Sequence, residues 1–169
     1  MPSRFLRFFL FLLAALILPR CLAQPRQLRG THDVARVPQL SPLMRAAGTI
    51  FSGQVTSVRM VPAQAGAVAC VEIHFRVSHG FRGVHAGQEL VIREWEGLWA
   101  RGPHYRVGER LMLFLYPPGA SGLTSPVGGA SGRLPVDDSG RIVTPHSAHP
   151  IPYRDFARAL RAGALEEQP

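Results

Sequence analysis

Between residues 49 and 144 the chain carries five apolar runs, at 49–61, 67–79, 89–95, 109–116 and 133–144. Gly and Pro punctuate them, none has a helical period, and the last is broken by a turn at 137–140. Runs of this length with turn signals between them predict an all-β domain, a small five-stranded barrel or sandwich.

The pattern is cleanest in the second run. Val71, Ile73, Phe75 and Val77 alternate with Glu72, His74, Arg76 and Ser78, which predicts the first set inward and the second in water. His79-Gly80 through Gly83 reads as the following turn, and Gly87 as a second. Gly53 interrupts the first run where a bend, a bulge or close backbone approach is wanted. The stretch 111–116 is apolar on both faces, which predicts a strand inside the barrel wall, covered outside by a helix or an arm. Before the first run, Ser41-Pro42 and Gly48 bracket a short helix at 43–47. After the last, Tyr153, Phe156, Ala157, Leu160 and Ala164 fall at helical spacing within 152–165, predicting a short amphipathic C-terminal helix that ends near Gly163.

The N-terminus reads as a secretory leader. Arg4 and Arg7 precede an apolar stretch at 8–18, Pro19 breaks it, and Cys21-Leu22-Ala23 offers small residues at the −3 and −1 positions of a cleavage site. The apolar stretch is shorter than the ~20 residues a membrane-spanning helix needs, and Pro19-Arg20 before Cys21 argues against lipidation. The expected division is a signal peptide at 1–23, a flexible arm at 24–42 and one domain at 43–165, with no membrane span after cleavage. Cys70 is then the sole thiol, so no internal disulfide is available, and its place on an alternating strand predicts a small buried hydrophobe.

The formal charge is +8, but Arg4, Arg7 and Arg20 leave with the leader, and the chain contains no Lys. The Arg residues are scattered rather than gathered into the stripe a nucleic-acid binder uses. Arg in place of Lys points to a GC-rich bacterial genome, and with the leader to a periplasmic or extracellular protein.

Catalytic patterns are weak. His146 and His149 lie beside Pro145 and Pro150 with no Cys or carboxylate at ligand spacing. No Gly-x-Ser-x-Gly elbow occurs, and Ser121 and Ser131 sit in Gly-rich loops without an evident base. Asp137 and Asp138 are what a turn needs. Glu94 and Glu96 flank Trp95 and share a strand face, with nothing else to suggest a glycosidase. The expectation is a protein that is not an enzyme and holds neither metal nor cofactor. The segment 95–105 carries more aromatic surface than a loop needs. Trp95, Trp99 and Tyr105 with Arg101 are the candidate binding residues, suited to stacking on sugars, bases or peptide side chains. In the competing reading Trp95 and Trp99 plug one end of the barrel or pack on the terminal helix.

Three segments carry a family likeness: Ile50-Phe51-Ser52-Gly53-Gln54-Val55, then Phe75 through Gly83, then Val107-Gly108-Glu109-Arg110 leading into Leu111–Leu115. This order resembles the OB-type barrel of the netrin-like domain, the fold of the tissue inhibitors of metalloproteinases. Exported bacterial proteins share the pattern, including a stretch like Gly122–Pro126. The resemblance implies a five-stranded OB-type barrel with a short terminal helix. It does not carry the inhibitors' zinc-chelating mechanism, which uses an N-terminal Cys where the expected mature chain begins Gln24-Pro25. Two functions follow as expectations: an exported non-catalytic binding module for a protein, peptide or glycan of the cell envelope, or a secreted protease inhibitor acting through a loop.

Overall fold

The computed structural model describes residues 40–64, 66–145 and 149–166. The expected leader, residues 24–39 of the arm, and His146 lie outside the described residues. In chain order the elements are α1 (Leu40–Ala46), β1 (Thr49–Val61), β2 (Cys70–Arg82), β3 (Glu89–Trp95), α2 (Glu96–Trp99), β4 (Arg110–Leu115), a 3-10 turn (Gly129–Gly132), β5 (Arg133–Pro135), β6 (Arg141–Ile142), β7 (Ile151–Pro152) and α3 (Tyr153–Glu166). Helix α1 takes in Leu40, Ser41 and Pro42, so the end of the expected arm is helical.

Five strands form one antiparallel sheet in the order β3-β2-β1-β4-β5, and β6 pairs with β7 in a second, small sheet. The fold is thus mostly β with a C-terminal helix. Strand β1 is shared: from Ile50 to Val61 it runs along β2, while its first half, Thr49 to Gln54, pairs with β4. Register shifts at Ile50/Phe51, Ser52/Gly53 and Val55/Ser57 bend it, as bulges do. Gly53 sits at one of them, where a Cβ would come within 2.7 Å of the Arg76 carbonyl oxygen, the close backbone approach expected there.

A closed five-stranded barrel does not result from these pairings. Among the described residues no ladder joins β3 to β5, because β5 is only three residues long. The irregular segment 116–128 crosses the gap instead. The Thr124 N–H donates to the Arg93 carbonyl of β3 (2.8 Å) and the Tyr116 N–H to the Ser125 carbonyl (3.0 Å).

Strand β2 runs three residues later than the sequence pattern suggests. Residues 67–69 are taken up by the turn, where Ala67 pairs with Gln64. At its far end β2 continues through His79, Gly80 and Arg82, since the first half of β1 needs them as partners: Phe51 faces Gly80 and Ile50 faces Arg82. The chain reverses only at Gly83, with φ 74°.

The core has two parts, one on each face of the sheet. On one face Val71, Ile73, Phe75 and Val77 are buried with Phe51, Val55, Ile92 and the odd-numbered residues of β4. On the other, Met112 and Phe114 lie under α1 and α3, against Leu43, Met44, Phe156 and Leu160. Strand β4 is therefore the doubly covered strand its composition predicts. Helix α3 continues past Gly163 to Glu166 rather than stopping there. Gly163 serves packing: a Cβ at this position would stand 3.1 Å from the Met44 methyl, so the small residue lets the two helices meet. Arg82 secures the end of α1 by donating to the carbonyls of Met44 and Ala47, the orphan acceptors of a helix C-terminus.

One side chain of β2 breaks the alternation. Glu72, expected in water, is buried while Arg76 is exposed. Its cross-strand neighbours are both Arg, and Arg59 and Arg93 (2.9 Å) close over its carboxylate from either side. These charge-assisted bonds, Arg59 first, hold the carboxyl below its ordinary range. Cys70 is a buried free thiol, as its strand position suggests.

Candidate functional site

Where β3 ends, the chain leaves the sheet in the single helical turn α2 and then two further reversals: Arg101 N–H donates to Leu98 O and Gly102 N–H to Trp99 O. It then dives back toward the core to join β4, with the Gly108 N–H bonded to the Val55 carbonyl at 2.9 Å. The four residues picked from sequence separate along this path. Tyr105 is buried, 5% exposed. Trp99 is half-buried at the margin of the core and stacks on His104 (centroids 4.6 Å apart, planes 9°) and, at 6.0 Å, on Tyr105. Trp95 is 51% exposed, its ring lying over Gly97. Arg101 is exposed. Structure thus unites Trp99 and Tyr105. Trp95 stands apart because successive strand residues face opposite sides and its predecessor, Glu94, faces inward.

Glu94 is the residue that sequence reasoning noticed and discounted. It does not share a strand face with Glu96 as expected, because Glu96 opens α2 and is exposed whereas Glu94 is 6% exposed. The Tyr105 hydroxyl donates to Glu94 Oε1 at 2.7 Å. Arg133, 8% exposed, lies over the Tyr105 ring with its guanidinium carbon 4.1 Å from the centroid. Its Nη1 donates to the Pro103 carbonyl, and its Nη2 to the His104 carbonyl and Glu109 Oε2, both at 2.8 Å. One planar cation from the start of β5 therefore fixes the return leg of the aromatic segment.

Glu94, Tyr105 and Arg133 form the floor of a cavity of about 300 Å³ whose walls include Leu98, Pro103, Tyr116 and Pro126. Burial pushes the Glu94 carboxyl above its ordinary value, against the opposing effects of the Tyr105 bond and the Arg133 charge. The Tyr105 phenol is pushed far up by burial and by Glu94, so it remains a neutral donor. The arrangement can offer a carboxyl group in a partly apolar, partly enclosed space.

The sign of the resulting pH dependence follows directly. A carboxyl whose folded-state pKa is raised supports the fold most fully below the ordinary carboxylate range, and that contribution fades as pH rises through the raised value. Glu94→Gln keeps an acceptor for Tyr105 without the ionisation cost. Melting temperatures of wild type and variant measured across pH 4 to 8 should therefore shift in favour of the variant as pH rises. A difference that does not change with pH would refute the raised value.

A second polar cluster lies at the start of α3. Ser52 Oγ is 2.8 Å from Tyr153 Oη and 3.3 Å from His79 Nδ1, and the His79 and Tyr153 rings stand 4.9 Å apart. They border a cavity of about 250 Å³ with Arg110 and Val136. Among the described residues no carboxylate orients His79, and Ser52 is buried within β1, so the cluster ties the helix to the sheet without the parts of a nucleophilic triad. Burial raises the Tyr153 phenol. No group of three or more His, Cys, Asp or Glu side chains able to hold a metal ion occurs among the described residues.

A signal for Glu94 was available in the sequence: by period two it lies on the same face as Ile92, an acid in an inward position. Arg133 gave none, since nothing local marks it as reaching back across more than twenty residues to Glu109. Among the described residues no helix is long and apolar enough to cross a membrane. No protein-family model, curated protein or solved structure matches this chain.

Proposed function

We propose that this chain is an exported, non-catalytic binding module of the bacterial cell envelope, with its ligand seat in the cavity beneath the aromatic segment. One observation carries the reading: a nearly buried carboxyl, Glu94, stands at the floor of an otherwise largely apolar cavity. Apolar walls with a few convergent polar groups are the usual form of a ligand pocket. The buried position of Tyr105 favours a concave seat over the protruding loop an inhibitor would present. For the frame we propose an OB-type fold of netrin-like order. In support, β1 is long, bent and shared between β2 and β4, and residue 124 reaches across to β3. The leader-like N-terminal sequence supports a periplasmic or extracellular location.

Tyr116 lines the seat but is 42% exposed, so Tyr116→Ala separates binding from stability. Immobilised residues 24–169 should retain a cell-envelope component, and the variant should retain it at least about tenfold less well, the effect of losing a single ~1.4 kcal/mol contact. Its melting temperature should barely change. Equal retention by the variant would remove the cavity from the proposal, and no retention by wild type would remove the binding module.

A further inference from the structure

Resting on the reading of this cavity as a ligand seat, we infer that its occupant is a lysine side chain of a partner protein or peptide, its ammonium placed against Glu94. The argument starts from the carboxylate itself. Oε1 is taken by the Tyr105 hydroxyl. Among the described residues Oε2 has no hydrogen-bond donor, and none of their fully buried side-chain oxygens or nitrogens is left unpartnered. Oε2 therefore opens to the cavity that Glu94 lines.

Charge around the floor points the same way. Of the two carboxylates near Arg133, Glu94 and Glu109, the guanidinium forms an ion pair with Glu109 alone among the described residues. Its other bonds go to the carbonyls of Pro103 and His104, and its face is occupied by the Tyr105 ring. An ionised Glu94 is thus nearly buried, without an ion-pair partner among the described residues, beside largely apolar walls, a situation relieved by an arriving cation. An anion would meet the same carboxylate as repulsion and would find the Arg133 charge already matched.

Shape selects among cations. Leu98, Pro103 and Pro126 offer methylene and ring surface along which an unbranched apolar stem can lie, and the Tyr116 ring stands at the wall. A four-carbon chain ending in a compact ammonium matches such a cleft: the stem buries apolar area and the head delivers its charge. Three rotatable donors can meet a single open carboxylate oxygen without the bidentate geometry that a guanidinium requires. On binding, the Glu94 carboxyl is held ionised, so affinity is coupled to pH.

The test uses the folded chain and three probes of one backbone: the Nα-acetyl methylamides of lysine, norleucine and glutamate, titrated at pH 7.5 and followed by amide chemical shifts. Norleucine has the lysine stem without the ammonium. The lysine probe should bind at least about tenfold more tightly than norleucine, with shifts concentrated at residues 94, 98, 105, 116 and 126. Its affinity should fall at pH 5 and should fall in Glu94→Gln, whereas norleucine should respond to neither. Equal binding of lysine and norleucine overturns the cation while leaving the seat. Preference for glutamate overturns it in favour of Arg133 as the recognition group. Tighter binding of n-butylammonium than of the lysine probe overturns the peptide source in favour of a free amine. Failure of every probe to shift the cavity residues overturns both the cation and the seat. The probe series on wild type decides the matter even if the variant does not fold.

Discussion

Phe75→Ala is expected to lower stability by about 3–5 kcal/mol, the range for removing a large aromatic from a packed interior. Phe75 is fully buried, with Phe51 and Tyr105 edge-on to its ring at 5.3 and 5.8 Å. Both neighbours are held by the sheet or by Glu94, so the space left behind cannot readily collapse. The loss should also reach the cavity, because Phe75 supports the ring that donates to Glu94. Denaturant unfolding of the variant measures the first effect, and the near-ultraviolet signal of the stacked Trp99 reports the second. The adjacent position supplies the control. Arg76 is exposed and meets Glu89 only at 3.9 Å, with both side chains largely in solvent, so Arg76→Ala should cost no more than about 0.5 kcal/mol. Similar losses at the two positions would mean that the strand register is wrong, since a one-residue slip exchanges the faces.

That contrast shows which part of the fold was legible in the sequence. Period-two burial depends on local chemistry, so the inward face of β2 could be read from the residues, as could the extents of β1 and β3. The end of β2 could not, because His79 to Arg82 are kept extended by their partners on β1, a long-range requirement with no local sign. Glu72 shows the same limit in electrostatics: a charged residue at an outward position counts as exposed until two Arg residues on flanking strands are known to close over it. Closure of the barrel was the least legible feature. Turn spacing marked the first four strands, but the fifth run, 133–144, is strand only at Arg133–Pro135 and Arg141–Ile142, and β7 fell outside every run. Pairing across the last gap depends on the path of residues 116–128, whose Gly and Pro content marks irregularity without direction.

The candidate site divides along similar lines. Aromatic density marked the right segment, and Trp99 and Tyr105 do meet. Composition could not show that the segment turns its back on solvent at Tyr105 while Trp95 stays outside. The inward turn at Tyr105 is held by Arg133, which belongs to another strand.

Arg133 is therefore the place where a single substitution should have the second large effect. Arg133→Met removes the cation from Glu109, leaves the Pro103 and His104 carbonyls without their donor, and uncovers the Tyr105 face. Removing one partner of a buried pair typically costs 3–5 kcal/mol; with Glu109 partly open to solvent, a loss of about 3 kcal/mol is expected in denaturant unfolding. Arg133→Lys should recover only a minor part, because one ammonium cannot serve two carbonyls and a carboxylate in the planar fork that the guanidinium provides. Glu109→Gln in the Arg133→Met background tests the origin of the loss. If the stranded carboxylate is the main cost, the double variant should regain stability over Arg133→Met alone. If the double variant is no better, the loss lies in the unpaired carbonyls and the freed segment. A cost below about 1 kcal/mol for Arg133→Met would show that the return leg is held by its own backbone turns, and the cavity floor would then be mobile rather than fixed.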